Sequence, residues 1–245
     1  VSGLIFGSGN LDSTVGMANA YVQLDGLLPG SFGRFQPYVD GGVGFARNHL
    51  ETLSINATPT NSLAGATKTN FAWGLGMGFA YPLSSNVSLD FGYRFLNLGP
   101  METGTSAVGI GTHFVASAAL SDDVTVHTFT AGLRWNFGPV NALAANAPNG
   151  TAPDLFRWIP NGTYIRGDLG AAFGNKITFS DTEPNNPITC LLCGSSLNAR
   201  NGNSVTVGAG IGYRINPMFR ADATVDDMPS FHASASSGSG FAAGT

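Results

Sequence analysis

Several segments of the chain alternate between apolar and polar positions with a period of two. In Val87-Ser-Leu-Asp-Phe-Gly-Tyr-Arg-Phe95 every odd position is apolar or aromatic, and every even position is small or charged. A helix would place Asp90 and Arg94 on the face of Phe91 and Phe95, so the pattern predicts a strand between an apolar medium and a polar space. Phe71-Ala-Trp-Gly-Leu-Gly-Met-Gly-Phe-Ala-Tyr81 repeats the rule, with large side chains on one face and Ala or Gly on the other. Repeated glycine weakens a strand unless something crowds that face, and a barrel interior filled from other strands supplies the crowding. Large apolar residues outward with small and charged residues inward is the reverse of a soluble sandwich. It is the pattern of a transmembrane β-barrel.

The same reading predicts eight strands, near 14–25, 34–47, 69–81, 87–99, 124–137, 163–175, 203–215 and 219–227. The connections at 26–33, 82–86 and 216–218 are short, whereas those near 48–68, 100–123 and 176–202 are long. Short turns at one rim and long loops at the other fit an outer-membrane barrel. The fold class predicted is therefore all-β: an eight-stranded antiparallel up-and-down transmembrane barrel.

Composition narrows the alternatives. Only 11% of residues are charged, against roughly 25% in a soluble domain, and 34 are glycine. No stretch reaches the ~18 apolar residues of a membrane-spanning helix. A net charge of −4 with two lysines, Lys68 and Lys176, gives no basic footprint, so no nucleic acid is expected as partner. The glycine runs at 41–44 and 208–212 open no helix, which argues against a dinucleotide site. The opening Val-Ser-Gly-Leu-Ile-Phe has neither a charged region nor a cleavage site, so targeting has been removed or the chain begins elsewhere than its gene.

The alternation turns five arginines (Arg94, Arg134, Arg166, Arg214, Arg220) and five aspartates (Asp40, Asp90, Asp168, Asp222, Asp226) inward, ten of 26 charged side chains. Buried charges need partners, and the guanidinium fork suits carboxylates. Eight strands leave an interior just wide enough for side chains to fill, so a salt-bridged plug is preferred to a charged pore. Tyr81, Phe95, Trp135 and Phe137 are expected as interfacial aromatics. Cys190 and Cys193 lie in a Pro/Asn/Ser-rich segment and read as a loop disulfide, with free thiols or metal and redox chemistry as alternatives. His49, His113, His127 and His232 show no paired spacing, and Asp122-Asp123 reads as a loop tip. No catalytic, cofactor-binding or metal residue is assigned, and no cofactor is expected.

The runs Met17-Ala-Asn-Ala-Tyr-Val, Gln36-Pro-Tyr-Val-Asp-Gly-Gly-Val-Gly-Phe-Ala-Arg47 and Leu89-Asp-Phe-Gly-Tyr-Arg-Phe-Leu-Asn-Leu-Gly99 resemble the small OmpA-like outer-membrane barrels, the surface-antigen group of alphaproteobacteria. Tyr164-Ile-Arg-Gly-Asp-Leu-Gly170 and Val207-Gly-Ala-Gly-Ile-Gly-Tyr-Arg-Ile-Asn-Pro217 add to the resemblance. By that family's order residues 1–137 supply strands 4–8, 138–161 a linker, and 162–245 strands 1–3 with part of a long external loop. The resemblance thus implies a circularly permuted barrel, a window from a tandem-barrel chain, or a numbering that departs from the gene. It also implies an integral outer-membrane location with long loops outside. The function expected is structural and surface-exposed, supporting envelope integrity, without enzymatic activity. Its partners would be outer-membrane lipids, lipopolysaccharide and neighbouring barrels or other envelope proteins. A small porin and a lipid-modifying enzyme using His127 beside Thr128 and Thr130 are the alternatives.

Overall fold

The structure, a computed structural model, describes residues 6–28, 30–55, 62–63, 65–102, 106–110, 113–117, 119–137, 160–181 and 197–237. Eight strands form the barrel: β1 (Phe6–Gln23), β2 (Gln36–Leu50), β3 (Ala66–Pro82), β4 (Val87–Glu102), β5 (Ala119–Asn136), β6 (Thr163–Gly174), β7 (Asn203–Arg214) and β8 (Phe219–Ser237). Each pairs antiparallel with its neighbours in chain order, and β8 pairs back onto β1 from Phe6↔Ser236 to Val22↔Phe219. Closure leaves no free edge, which a bilayer demands because lipid satisfies no backbone hydrogen bond. A closed meander has the same neighbours wherever the chain is opened, so the pairing suits either order of the two strand blocks. Among the described residues no helix is long and apolar enough to cross a membrane; the single turn Leu24–Leu27 lies in a connection.

The belt follows the alternation. On β3, Phe71, Leu75 and Met77 face outward and are more than half exposed, whereas Ala72 and Ala80 are buried. From Phe71 to Tyr81 the strand climbs roughly 25 Å along the axis, at about 3.3 Å per residue and about 40° tilt, which matches the apolar band of such barrels. Outward aromatics meet across strands: Trp73 with Phe95 at 5.6 Å, Phe79 with Phe91 at 5.2 Å, and Tyr93 with Phe129 at 5.1 Å between ring centres. Such pairs add to the stability of the sheet.

The strands continue past the belt at the long-loop rim, and this corrects the predicted boundaries. Regular pairing carries β2 to Leu50 and β3 back to Ala66, where loop was expected. β8 extends to Ser237 and β1 begins at Phe6, past the predicted strand limits at 227 and 14, so part of the long external loop expected there is ladder. Asp122 and Asp123 belong to β5, not to a loop tip, and Asp123 Oδ2 accepts a hydrogen bond from Asn97 at 2.9 Å. Beyond β2 and β3 the hairpin Leu53–Ile55 with Ser62–Leu63 adds to this rim. The hairpin Ser106–Ile110 with His113–Ser117 follows β4, and Lys176–Asp181 with Leu197–Asn201 prolongs the wall above β6 and β7.

In this outer section the pattern inverts. Arg47, His49, Thr67 and Thr69 are exposed outward, and Leu50, Leu98, Met101, Val124, Val126, Met228 and Phe231 pack inward almost fully buried. The charged lumen is therefore confined to the membrane level; above it the barrel has a largely apolar core, in which Ser13, Asn48 and Asn70 are buried and hydrogen-bonded. Water on the outside makes this arrangement favourable by the ordinary hydrophobic effect.

Candidate functional site

Because side chains alternate along each strand, all ten inward charges predicted from the sequence share the lumen face. Tyr21 on β1 joins several of them. Its hydroxyl accepts from Arg166 Nη1 at 2.8 Å and from Arg94 Nη2 at 3.1 Å, and donates to Asp222 Oδ1 at 3.3 Å. Arg94 Nη2 lies 2.7 Å from Asp40 Oδ1. Arg166 clasps Asp168 with both Nε and Nη2, at 2.8 and 2.9 Å, in the forked geometry that favours arginine for carboxylates. Its Nη1 is also 3.6 Å from Asp222. Tyr164 donates to Asp222 Oδ2 at 2.9 Å, and Asn19 Nδ2 to Asp222 Oδ1 at 2.9 Å.

Nearer the short-turn rim, Arg220 is enclosed by aromatic faces rather than carboxylates. Its guanidinium carbon sits 3.9 Å from the ring centre of Tyr21, 4.7 Å from Tyr38 and 5.7 Å from Tyr164. The ring quadrupole favours a cation there. Arg134 is fully buried, 3.5 Å from Asp90 Oδ2, with its guanidinium 5.6 Å from the Tyr164 ring. Arg214 faces Arg220 across the β7–β8 ladder. A cavity of about 30 Å³ remains among Tyr38, Asp40, Arg94, Arg166, Asp168 and Asp226, room for about two waters.

Tyr21, Tyr38, Tyr164 and Asn19 fill the lumen beside the charges but were not singled out from the sequence. Their signal was parity: Tyr164 alternates in step with Arg166 and Asp168, and Tyr38 with Asp40. An aromatic on the charged face is an interior residue, whereas the prediction treated aromatics as outward.

The other candidates scatter. Tyr81 and the half-exposed Trp135 lie at the short-turn rim, with Arg34 5.0 Å over the Tyr81 ring. Phe95 faces outward beside Trp73 and opposite His127, towards the other end of the belt, whereas Phe137 is buried just past β5 and does not join the outward aromatics. His127 faces outward with Nδ1 2.8 Å from Tyr93 Oη. Thr128 points inward to the Arg94 carbonyl, so alternation sends it and Thr130 to the opposite face and no His–Thr site forms. His49 Nδ1 contacts Thr67 Oγ1 at 2.7 Å on the outer section. Among the described residues no three His, Cys, Asp or Glu side chains converge as metal ligands. Cys190 and Cys193 lie outside the described residues.

Comparison with known proteins agrees with this architecture. The chain belongs to the outer membrane protein beta-barrel domain family, whose model matches residues 3–137, more than half of its length. Outer membrane protein PagN of Salmonella typhimurium is 41% identical over 69 residues, 26% of this chain and 28% of PagN. An uncharacterised protein of Brucella abortus is 31% identical over 135 residues, 49% of this chain and 46% of that protein. The chain thus matches less than half the length of either relative. It is an integral outer-membrane β-barrel protein.

Proposed function

We propose that this barrel is a structural, surface-exposed component of the outer membrane that supports envelope integrity through a closed, charge-paired interior. It anchors in outer-membrane lipid through the aromatic belt and holds the outer section and its loops outside. The observation that carries this reading is the filling of the lumen: Tyr21, Tyr164, Arg134 and Arg220 are each at most 1% exposed. The apolar core of the outer section, from Leu11 to Phe231, lies above them. Two stacked layers of packed side chains oppose solute passage more firmly than one constriction. The relationship to an outer membrane protein, PagN, supports an envelope role.

The reading assigns the barrel no catalysis. His127, the strongest candidate, is partnered by a phenol, and the neighbouring threonine hydroxyls are on the other side of the wall. Reconstitution into planar bilayers is the test. A closed barrel gives no steps of reproducible conductance; regular ohmic steps would overturn the reading in favour of a small porin.

A further inference from the structure

The outward wall carries one groove of distinctive make-up. Register sets Phe91 and Leu169 on either side of Ala131, so a methyl lies between two large side chains. Phe79, Tyr93 and Phe129 complete an apolar groove of about 470 Å³ that opens sideways from the barrel. Its floor is backbone at Gly78, Gly92 and Gly170, where large inward residues would not show.

At the outer end of this groove the chemistry changes. Tyr93, part of the groove wall, holds His127 through the 2.8 Å contact to Nδ1. Phe95 and Phe173 flank His127 on the adjacent strands. In the tautomer where the phenol donates to Nδ1, the ring proton is on Nε2, which is then the donor. One outward position further out is Thr125, followed by Asp123 with its Asn97 partner, so His127 marks the end of the apolar belt. It stands roughly 20 Å above Trp135 along the axis, at about 3.3 Å per residue and about 40° tilt, within the outer half of a band ~25 Å tall.

We infer that the groove and the Tyr93–His127 pair form a binding site for lipid A, with one acyl chain against Ala131 and a phosphate oxygen accepting from His127 Nε2. The groove faces the bilayer, so its occupant is a lipid. The polar end lies at the outer-leaflet boundary of an outer-membrane protein, where phosphorylated lipid A is the lipid that presents a phosphate above acyl chains. The site is on the outside of the wall and is independent of whether the lumen conducts.

Native mass spectrometry of the folded barrel, exchanged from bicelles of phosphatidylethanolamine doped with hexa-acyl lipid A, tests this. The wild type should retain one lipid A per barrel. His127→Phe should weaken retention about tenfold, the loss expected for one hydrogen bond to a charged group, without changing retention of fully dephosphorylated lipid A. Ala131→Trp fills the groove and should weaken both, whereas Ala223→Trp, outward on β8, should weaken neither. The shift in gel mobility between unheated and boiled samples reports folding of each variant, and Ala131→Leu serves if the Trp variant does not fold. Wild-type retention by a folded Ala131 variant, or phosphatidylethanolamine retained in place of lipid A, would overturn the inference.

Discussion

Asp40 on β2 reaches across β3 to meet Arg94 on β4, with Oδ1 2.7 Å from Nη2 and 3.0 Å from Nε. The pair therefore ties two strands that share no ladder. Both side chains are largely buried, so removing one leaves the other as a desolvated charge. Arg94→Met should lower unfolding free energy by about 3–5 kcal/mol. The double variant Arg94→Met with Asp40→Leu should recover much of that loss, because no orphan charge remains. Urea unfolding of the barrel in phospholipid vesicles measures both. Equal losses in single and double variants would mean that Arg94 acts through Tyr21 rather than through Asp40.

The crossing depends on Gly76. A Cβ there would stand 2.5 Å from Asp40 Oδ2 and 2.9 Å from the Tyr93 carbonyl. A side chain at this position has to push the carboxylate off Arg94 and press on backbone. Gly76→Val should cost roughly 1–3 kcal/mol as an overpacked interior. By contrast Gly16, with nothing within 4 Å of its added Cβ, should accept alanine with little change in the same unfolding assay.

The belt was readable from the sequence because the bilayer imposes one rule on each strand. Phe91 and Arg94 must take opposite faces, and each strand repeats the choice. Above Phe45 and Phe71 the outside is water, so Arg47 and Thr69 turn outward while Leu50 and Leu98 turn in. That section follows the soluble rule, and a search for outward aromatics ends the strands too early. Within the lumen the arginines and aspartates were visible as charges in apolar segments. Tyr21 was not, because its hydroxyl earns its place only through partners on β4, β6 and β8, which a single strand's pattern does not contain.

Asp25, in the short connection after β1, lies outside the membrane-spanning strands. Burial raises its carboxyl above the ordinary value, with backbone hydrogen bonds and the Arg214 and Arg220 charges opposing the shift. A carboxyl whose folded pKa is raised binds its proton more tightly in the folded state, so stability rises as pH falls through the folded value. Asp25→Asn should remove that part of the acid-side slope and leave the variant at least as stable as the wild type at neutral pH. Unfolding midpoints between pH 7 and pH 4 measure the effect; an unchanged slope would show that the Asp25 environment is solvated in the membrane-bound protein.

The inversion between belt and outer section gives a depth scale that one strand can report. Leu75 and Thr69 both point outward on β3, and six residues at about 3.3 Å with about 40° tilt separate them by roughly 15 Å along the axis. Leu75 is near the middle of the Phe71–Tyr81 span, whereas Thr69 is beyond its outer edge. An arginine at Leu75 should destabilise the barrel in vesicles by about 2–4 kcal/mol, and one at Thr69 by about 0–1 kcal/mol. The two costs respond to different surroundings: hydrocarbon at Leu75 and water or headgroups at Thr69. Similar costs at the two positions would place the bilayer edge above Arg47 and Thr69, and the apolar core from Leu50 to Leu98 would then lie inside the membrane rather than outside it.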